Sequence, residues 1–490
     1  MSLNVDSTKK VIFTKKYGAV YNSKVRNGST DVYALPLAAA FSSGPIKNNP
    51  VVTAYFTDRF VGGFKMNNSL GGTYRSTNAR LAYNPAGNSI FTTDTIAAIA
   101  EIQMPAIEAL TKDNSTFPLA MVKLQDWTSF IADDSKIPNR IYDYNEMGGM
   151  ALDKVNGGLY VQSYIWYSGG STSSSFFKIE DHTNLAASTV LGAWETTSPK
   201  DYDTTWMQEL PAAWKEEFNA SHVFGNGAGM SNKERASSGP SAYMADLASF
   251  DTSDANAVLS TQEVVVYEKD GTFSLGTGAS LYVGNAPGSD RANDPAIANK
   301  HVHRNYDQYN NFNDWDANEG VPKWDINNND VGLGVGKPYN AALVVKGNND
   351  IWTELSSAAG TFIISGTKTL CAIGEMGGGE SGAGYKLGVY DDQGNYVGSG
   401  GGGSTVDPSD RVAYYWLYDM EELMAATDIG SVPPYAYGTL PLFDDVPGTP
   451  RSATYDPEDG VLLISVSGGV FSTEDSADTS VLRFQLPADA

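Results

Sequence analysis

The chain has 490 residues, of which 41% are hydrophobic and 11% aromatic, enough for a sizeable core and against global disorder. With 57 acidic and 33 basic residues, its formal net charge is −24. This field repels nucleic-acid phosphates and anionic lipid headgroups, so we expect neither nucleic acid nor an inserted membrane among its partners.

The first 18 residues are basic but contain no continuous apolar stretch of the kind found in secretory signal peptides. No run approaches 18 uninterrupted apolar residues, so no transmembrane helix is predicted. The single cysteine, Cys371, lies in the apolar run "TLCAIG" and is expected to be a small buried hydrophobe. We expect an extracellular or virion-surface location, reached without a signal peptide.

Residues 1–30 are predicted to form an N-terminal arm that precedes a single domain over 31–490. The arm carries Lys9, Lys10, Lys15 and Lys16, which would dock on an acidic or oligomeric protein partner. Beyond it, "NPVVTAYFTDRFVGGF" (49–64) is predicted to hold a further sheet unit or a strand that closes a ring against the last strand.

A phrase recurs three times without a gap: "LAYNPAGNSIFTT" (81–93), "MALDKVNGGLYVQ" (150–162) and "ATYDPEDGVLLIS" (453–465). In each copy an apolar strand ends in Asn or Asp, whose side chain can cap a turn, and a Gly or Asn follows that accepts positive φ. A second strand then returns antiparallel. Third strands follow at 99–105, 175–181 and 481–487.

Two further segments fit this pattern loosely, at 239–251 and 339–352, each followed by strand-like sequence. We therefore predict an all-β fold, a β-propeller of about five or six antiparallel blades, with β-sandwich domains as the alternative. Helices are predicted only at 94–112, 210–220 and 419–426.

Long insertions interrupt the repeats at about 285–335 and 374–404. The first holds the aromatic residues Trp315 and Trp324, which suit a sugar ring or a protein contact. Its segment "DINNND" resembles the first half of a calcium loop but lacks the Gly and the bidentate Glu that complete one. The possible calcium ligands are Asp325, Asn327, Asn329 and Asp330. No other cofactor is expected.

Residues just before each opening strand should meet at the mouth of the central tunnel of a propeller. This predicts a polar ligand site that includes the following residues: Arg80, Glu146, Lys337 and Arg451. Glu375 is expected to approach the same region. Alternatively these charges pair with one another. If the protein is a glycosidase, its carboxylates would be Asp58, Glu146 and Glu375, but no catalytic motif marks them, and we assign no catalytic residue.

The phrases "LAYNPAGNSIFTT", "GGMALDKVNGGLYV", "GPSAYMADL" and "ATYDPEDGVLLIS" resemble uncharacterised propeller-like proteins of bacteria and their viruses. The resemblance spans residues 76–487 in pieces and implies the fold, but no active-site residue.

On these grounds we expect a non-enzymatic structural or recognition propeller of an extracellular assembly, most naturally the capsid, neck or tail of a phage particle. A carbohydrate-active enzyme with acids at the tunnel mouth and a glycan-binding module are the alternatives.

Overall fold

The structure is a computed structural model, and it describes the parts of the chain given next. These are residues 3–5, 11–13, 46–66, 68–71, 79–94, 98–107, 116–130, 146–164, 175–198, 205–226, 240–250, 257–265, 315–316, 321–322, 351–352, 356–377, 383–384, 388–390, 396–399, 404–405, 411–440, 448–467 and 479–489. Within them, no helix is long and apolar enough to cross a membrane.

Five antiparallel four-stranded sheets form a five-bladed β-propeller, which confirms the predicted fold class and settles the number of blades. Within each blade the first strand given below is the innermost. Blade 1 contains Leu81–Asn84, Ser89–Thr93, Ala98–Gln103 and Lys123–Ser129. Blade 2 contains Glu146–Asp153, Gly158–Tyr164, Ser175–Ile179 and Val190–Thr196. Blade 3 contains Trp206–Glu209, His222–Gly225, Ala242–Ala245 and Gln262–Val265. Blade 4 contains Ser357–Ile363, Thr369–Gly377, Arg411–Asp419 and Ala436–Thr439. Blade 5 contains Thr449–Asp456, Val461–Ser467, Thr479–Gln485 and, from the start of the chain, Phe60–Met66.

The remaining elements are short. The α-helices are Pro50–Arg59, Ala212–Phe218 and Met420–Ala425, and the 3₁₀ helices are Asn68–Leu70, Leu247–Phe250 and Ile429–Ser431. Two-residue strands extend two blades in parallel: Val258–Leu259 joins blade 2 and Ile46–Lys47 joins blade 4. Separate hairpin pairs are Leu3–Val5 with Val11–Phe13, Trp315–Asp316 with Val321–Pro322, Ala383–Gly384 with Ser404–Thr405, and Gly388–Tyr390 with Tyr396–Ser399.

The repeated phrase forms the first hairpin of blades 1, 2 and 5. In the blade 1 copy, Asn84 Oδ1 accepts a hydrogen bond from the backbone N–H of Gly87. Asp153 and Asp456 accept two such bonds each in their own turns. Four residues after the cap, Asn88, Gly157 and Gly460 all have positive φ, as predicted. The same local chemistry therefore produces the same turn three times.

Blade 3 begins one hairpin earlier than the sequence pattern indicated, and blade 4 begins after the segment 339–352 that was expected to open it. The segment 239–251 holds the third strand of blade 3, since the blade opens at Trp206–Glu209. In blade 4 the run 360–366 belongs to the inner strand itself. Both blades lack the repeated turn, and blade 3 instead carries the helix Ala212–Phe218 between its first two strands. Without the turn signal, the alternating pattern did not reveal which strand came first.

The sequence predicted both a helix over 94–112 and a strand over 99–105, and the structure confirms the strand and not the helix. Within 94–112 the structure has the strand Ala98–Gln103, because its residues Ile99, Ala100 and Ile102 are all buried between neighbouring strands and blades. The helices expected at 210–220 and 419–426 are confirmed. The helix Pro50–Arg59 was not predicted, although Asn49 caps it through Val51 N and Pro50 occupies its first turn.

Five apolar clusters occupy the five gaps between neighbouring blades. The gap between blades 4 and 5 is the most aromatic, with Phe362 against Tyr455 and Phe56 against Phe484. Cys371 lies in this gap and is fully buried, as expected, and burial raises the pKa of its thiol. Each blade therefore uses both faces for the core, which explains why its strands read as nearly continuous apolar runs.

The ring closes where the last sheet of the chain takes its outermost strand from the beginning. Phe60–Met66 pairs antiparallel with Thr479–Gln485, for example Phe64 opposite Val481. Immediately before it, Ile46–Lys47 lies along the edge of blade 4. The segment 46–66 thus holds two blades together, and the prediction of a closing strand in this region is confirmed.

We predict that deleting residues 1–66 abolishes the cooperative thermal transition, because the strand Thr479–Gln485 would become an unpaired sheet edge and the gap beside it would open. Deleting residues 1–45 removes neither pairing and is expected to keep the wild-type transition. Circular dichroism melts and light scattering of both truncations measure this. Equal melting of the two truncated proteins would contradict the prediction.

Candidate functional site

The two faces of the ring differ because all five inner strands run in the same direction. Their first residues lie at one face, which we call the insertion face: Leu81, Glu146, Trp206, Ser357 and Thr449. Their last residues lie at the other, which we call the turn face: Asn84, Asp153, Glu209, Ile363 and Asp456.

Two kinds of connection start and end at the insertion face, and they include the two longest of the chain, 266–350 and 378–410. They link the second strand to the third within a blade, or the outermost strand of a blade to the next inner strand. They include residues 131–145, 165–174, 227–239, 266–350, 378–410 and 468–478. Both predicted insertions belong to this set, although the second begins after Gly377 rather than at 374. The turn face carries the short turns of the inner hairpins and short helices, together with the connections 104–122, 246–261 and 420–435. The two faces therefore differ chiefly in the connections 266–350 and 378–410, which are both attached at the insertion face.

The central axis is closed by a side chain of blade 3. Gln208 donates from Nε2 to Ala453 O at 2.6 Å and accepts at Oε1 from Tyr455 N at 2.7 Å. These bonds join blade 3 to blade 5, which are not neighbours around the ring. An additional Cβ at Gly360 of blade 4 would lie 2.8 Å from Ala453 Cβ, so the inner strands approach one another closely here. A ligand therefore cannot pass from one face to the other at this point.

A lysine occupies the turn-face end of the axis. Lys154 Nζ lies 2.8 Å from Glu209 Oε2, 2.9 Å from Asp456 Oδ2 and 3.2 Å from Glu458 Oε2. Although burial alone would lower the pKa of Lys154, these carboxylates raise it above the ordinary value. The cavity beside this ion cluster measures about 20 Å³, room for a single water molecule. The cluster therefore seals the turn face and leaves no space for a substrate.

At the insertion face, a fully buried carboxylate joins two blades. Glu375 Oε1 lies 2.8 Å from Arg411 Nη2 and 3.1 Å from Arg451 Nη1, while Oε2 accepts from Thr449 Oγ1 at 2.5 Å. Burial pushes the pKa of Glu375 upward, but the two guanidinium groups and the hydroxyl outweigh it and hold that pKa below the usual range. Glu375 is therefore ionised at neutral pH and has both oxygens occupied.

A third arginine of this mouth joins three blades through neutral acceptors. Arg80 is buried and donates from Nη1 to Arg451 O at 3.0 Å, from Nη2 to Tyr164 Oη at 3.3 Å and from Nε to Met147 O at 3.4 Å. No carboxylate among the described residues lies within ion-pair distance of it. Among the described residues, two guanidinium groups thus contact Glu375 and a third bonds to the backbone of Arg451, so that arginines outnumber carboxylates in the described part of this mouth.

The structure brings together three of the residues that the sequence placed at the mouth, namely Arg80, Arg451 and Glu375. Glu146 begins the inner strand of blade 2 at the same face, but its side chain lies outside the described residues. Asp58 is separate from them. It is exposed on the helix that precedes the outermost strand of blade 5, at the periphery of the ring.

Other predicted site residues fall outside what the structure describes. These are Lys337, Trp324 and the possible calcium ligands Asp325, Asn327, Asn329 and Asp330. Trp315 begins a two-residue strand, and nothing of its side chain is described. In the described part of the chain, no cluster of three or more His, Cys, Asp or Glu side chains could hold a metal ion. The ligand role of these residues stays a prediction.

Sequence reasoning missed Arg411 and Thr449. Arg411 opens the third strand of blade 4, which was not expected to reach the mouth, and it pairs opposite Gly377 at the end of the second strand. Thr449 precedes Arg451 by two residues on the same strand. The pairing is irregular between Pro450 and Ser452, so strand alternation did not mark Thr449, although its hydroxyl and the Arg451 guanidinium both reach Glu375.

Comparisons with known proteins leave the family open. No protein-family model and no curated protein matches the chain. Among solved structures, the calcium structure of a Trichoderma reesei carbohydrate-active enzyme of family AA12 is 11% identical, with a TM-score of 0.34, and the match covers 84% of this chain and 93% of that one. The PQQ-bound aldose sugar dehydrogenase of Streptomyces coelicolor is 10% identical with a TM-score of 0.25, over 87% of this chain and 99% of that one. Likeness at this level carries no inference about activity.

We predict that Glu375→Gln destabilises the protein by about 3 kcal/mol at pH 7, because it leaves two buried guanidinium groups without their carboxylate. Since the folded-state pKa of Glu375 lies below its unfolded value, the stability it contributes is present above about pH 4.5 and is lost as the pH falls through the folded pKa. Urea unfolding of both proteins from pH 7 to pH 3 measures this. A difference that stays constant over that range would contradict the assignment.

His222 supplies a second pH dependence, at the turn face. It is buried beside Ser221, whose Oγ lies 2.8 Å from Nδ1, and desolvation lowers its pKa to about 4 despite the nearby Glu209. Below pH 6.5 the unfolded chain binds a proton that the folded protein refuses until about pH 4. The free energy of unfolding of the wild type should therefore fall by about 3 kcal/mol between pH 6.5 and pH 4 on account of His222, and that contribution should be absent in His222→Gln. Urea unfolding curves at pH 7, 5.5 and 4.5 test this, and parallel pH profiles for the two proteins would contradict it.

Proposed function

We propose that this protein is a non-enzymatic recognition propeller, which binds its partner through the insertion face. The observation that carries the proposal is the asymmetry of the ring. The two longest connections, 266–350 and 378–410, start and end at the face where Arg80, Arg411 and Arg451 lie, whereas Lys154 and its carboxylates occupy the opposite end of the axis. A rigid scaffold that presents variable connections on one side is a common arrangement for recognition.

The state of Glu375 favours binding over catalysis. A glycosidase needs a carboxyl group with a raised pKa to protonate the leaving oxygen, and a second carboxylate about 5–10 Å away. Glu375 has a lowered pKa and spends both oxygens on Arg411, Arg451 and Thr449. Asp58 lies at the periphery. Two of the three carboxylates that a glycosidase would have used are thus unsuited to the task, which supports a recognition module for a protein or a surface glycan.

The setting we propose is an extracellular assembly, most naturally a phage particle, with the propeller in its capsid, neck or tail. The acidic surface, the polar connections rich in aromatic residues and the lysine-rich arm at residues 1–30 support this setting. Light scattering after size exclusion, with mass spectrometry of any particle that contains the protein, tests it. A fixed copy number in a particle is expected, and a monomer absent from every particle would contradict the setting.

The role of the insertion face is tested by blocking each face in turn. Gly402→Cys lies in the connection 378–410, which starts and ends at the insertion face, and Val155→Cys lies in a turn-face hairpin, where Val155 is 89% exposed. The native Cys371 is buried and will not react in the folded protein. A 5-kDa polyethylene glycol maleimide, roughly the size of a small domain, can therefore be attached either to a connection that starts and ends at the insertion face or to a turn-face hairpin.

Binding is then measured on a glycan array and against the purified particle. We expect the conjugate at Gly402→Cys to lose most of its binding and the conjugate at Val155→Cys to retain it. The unlabelled variants serve as controls for folding. Loss of binding from the Val155→Cys conjugate alone would place recognition on the turn face, and turnover of a bound sugar by the wild type would contradict a non-enzymatic role.

A further inference from the structure

Arg451 has an unused side of its guanidinium group. Its Nη1 is engaged by Glu375 at 3.1 Å, whereas Nε and Nη2 are buried and have no hydrogen-bond partner among the described residues. The side chain as a whole is only 10% exposed. The two free donors are adjacent, since Nε–H and one Nη2–H of a guanidinium point the same way. Arg451 therefore presents one complete two-donor edge that nothing in the described protein satisfies.

Two buried N–H donors without an acceptor are energetically unfavourable. Buried polar groups are nearly always hydrogen-bonded, and those left unpaired in a native protein are commonly explained by a bound water or ion. A charged group costs more than a neutral one when it is left unpaired. Glu375 cannot serve the free edge, since Oε1 is shared by Arg411 and Arg451 and Oε2 is held by Thr449. The missing partner must come from elsewhere.

The geometry selects the chemistry of that partner. Two parallel N–H donors match the two oxygens of a carboxylate, which is why arginine is favoured for bidentate recognition of oxyanions. Arg80 donates to the carbonyl oxygen of Arg451 itself and brings a second positive charge without a carboxylate of its own among the described residues. Since Glu375 neutralises one of the three guanidinium groups, the described residues of the mouth retain about two positive charges.

We propose that Arg451 is the centre of an oxyanion subsite, in which its Nε–Nη2 edge binds the carboxylate of an acidic sugar and Arg80 supplies the second positive charge. This inference rests on the proposed recognition role of the insertion face and names the ligand class that the face takes. Glu375 acts as a positioning residue, because its Oε1 accepts from Nη1 of the same guanidinium and fixes the direction of the free edge, and Thr449 holds Glu375 in turn by donating to Oε2.

The test uses the full-length protein and sodium D-galacturonate as the probe, with D-galactose as the neutral counterpart. Arg451→Lys keeps the positive charge and can still pair with Glu375, but it has no two-donor edge. The matched control is Arg483→Lys in the third strand of the same blade, where a single buried Nε lacks a partner among the described residues. Thermal melts without ligand establish that each variant is folded, and isothermal titration calorimetry measures binding.

We expect galacturonate to bind the wild type and Arg483→Lys with the same dissociation constant, Arg451→Lys to bind it about tenfold or more weakly, and galactose not to bind. Inorganic phosphate is the second arm. If it competes with galacturonate in the wild type, the subsite accepts oxyanions in general, which still supports the role of the edge.

Equal binding of galacturonate by the wild type and Arg451→Lys would overturn the proposal. So would a wild type that binds neither galacturonate nor phosphate. If Arg451→Lys does not fold, a crystal of the wild type soaked in galacturonate decides, because the carboxylate must then lie within hydrogen-bond distance of Nε and Nη2. The two proposals can fail separately. If galacturonate binding does not depend on Arg451 but the conjugate at Gly402→Cys still loses its partner, the subsite is rejected and the proposed function is kept.

Discussion

The pairing of Phe60–Met66 with Thr479–Gln485 is the constraint on which the rest of the structure depends. Each blade packs its two faces against two neighbours, so a ring with one incomplete sheet would expose both an unpaired strand edge and one apolar gap. The pairing covers both at once. Tertiary contacts of the helix Pro50–Arg59 add to it, since Phe56 packs edge-to-face against Phe484 at 6.2 Å between ring centroids.

The two ends of the axis use charge in opposite ways. At the turn face one ammonium group is surrounded by three carboxylates, and the result is a closed plug. At the insertion face one carboxylate, Glu375, pairs with two arginines, and two N–H donors of Arg451 have no acceptor among the described residues. Buried ion pairs are weak evidence for stability, because desolvation offsets much of the attraction. Their value here is geometric, since they fix which side chains face the axis and in which direction.

Much of the fold could be predicted because three of the five blades repeat the same local chemistry. Asn84, Asp153 and Asp456 cap their turns, and this signal is contained within a few residues. Blades 3 and 4 could not be divided correctly, since their hairpins lack the cap and only long-range packing decides which strand is innermost. The strand Ala98–Gln103 was predicted as a third strand but also as part of a helix over 94–112, for a related reason. Its residues are buried on both sides, which removes the alternation that marks a half-exposed strand.

The candidate site was predictable where topology alone decides position. Arg80 and Arg451 precede or open inner strands, so any propeller would bring them to the same mouth. Arg411 was not predictable, because its arrival there depends on the nine-residue pairing of two strands of blade 4, a register that the sequence does not specify by itself. The free edge of Arg451 likewise depends on which oxygen of Glu375 meets which nitrogen, a detail that only side-chain packing sets.

The closing strand also has a consequence for synthesis. Phe60–Met66 leaves the ribosome early, and its partner strand is completed only after the intervening 67–478 have been made. At about 5–20 residues per second this is a delay on the order of tens of seconds. During that time a strand with Phe60, Phe64 and Met66, all buried in the finished ring, has no native partner. The nascent chain therefore carries an aggregation-prone segment for most of its production, and chaperone binding near its N-terminus would be the natural protection.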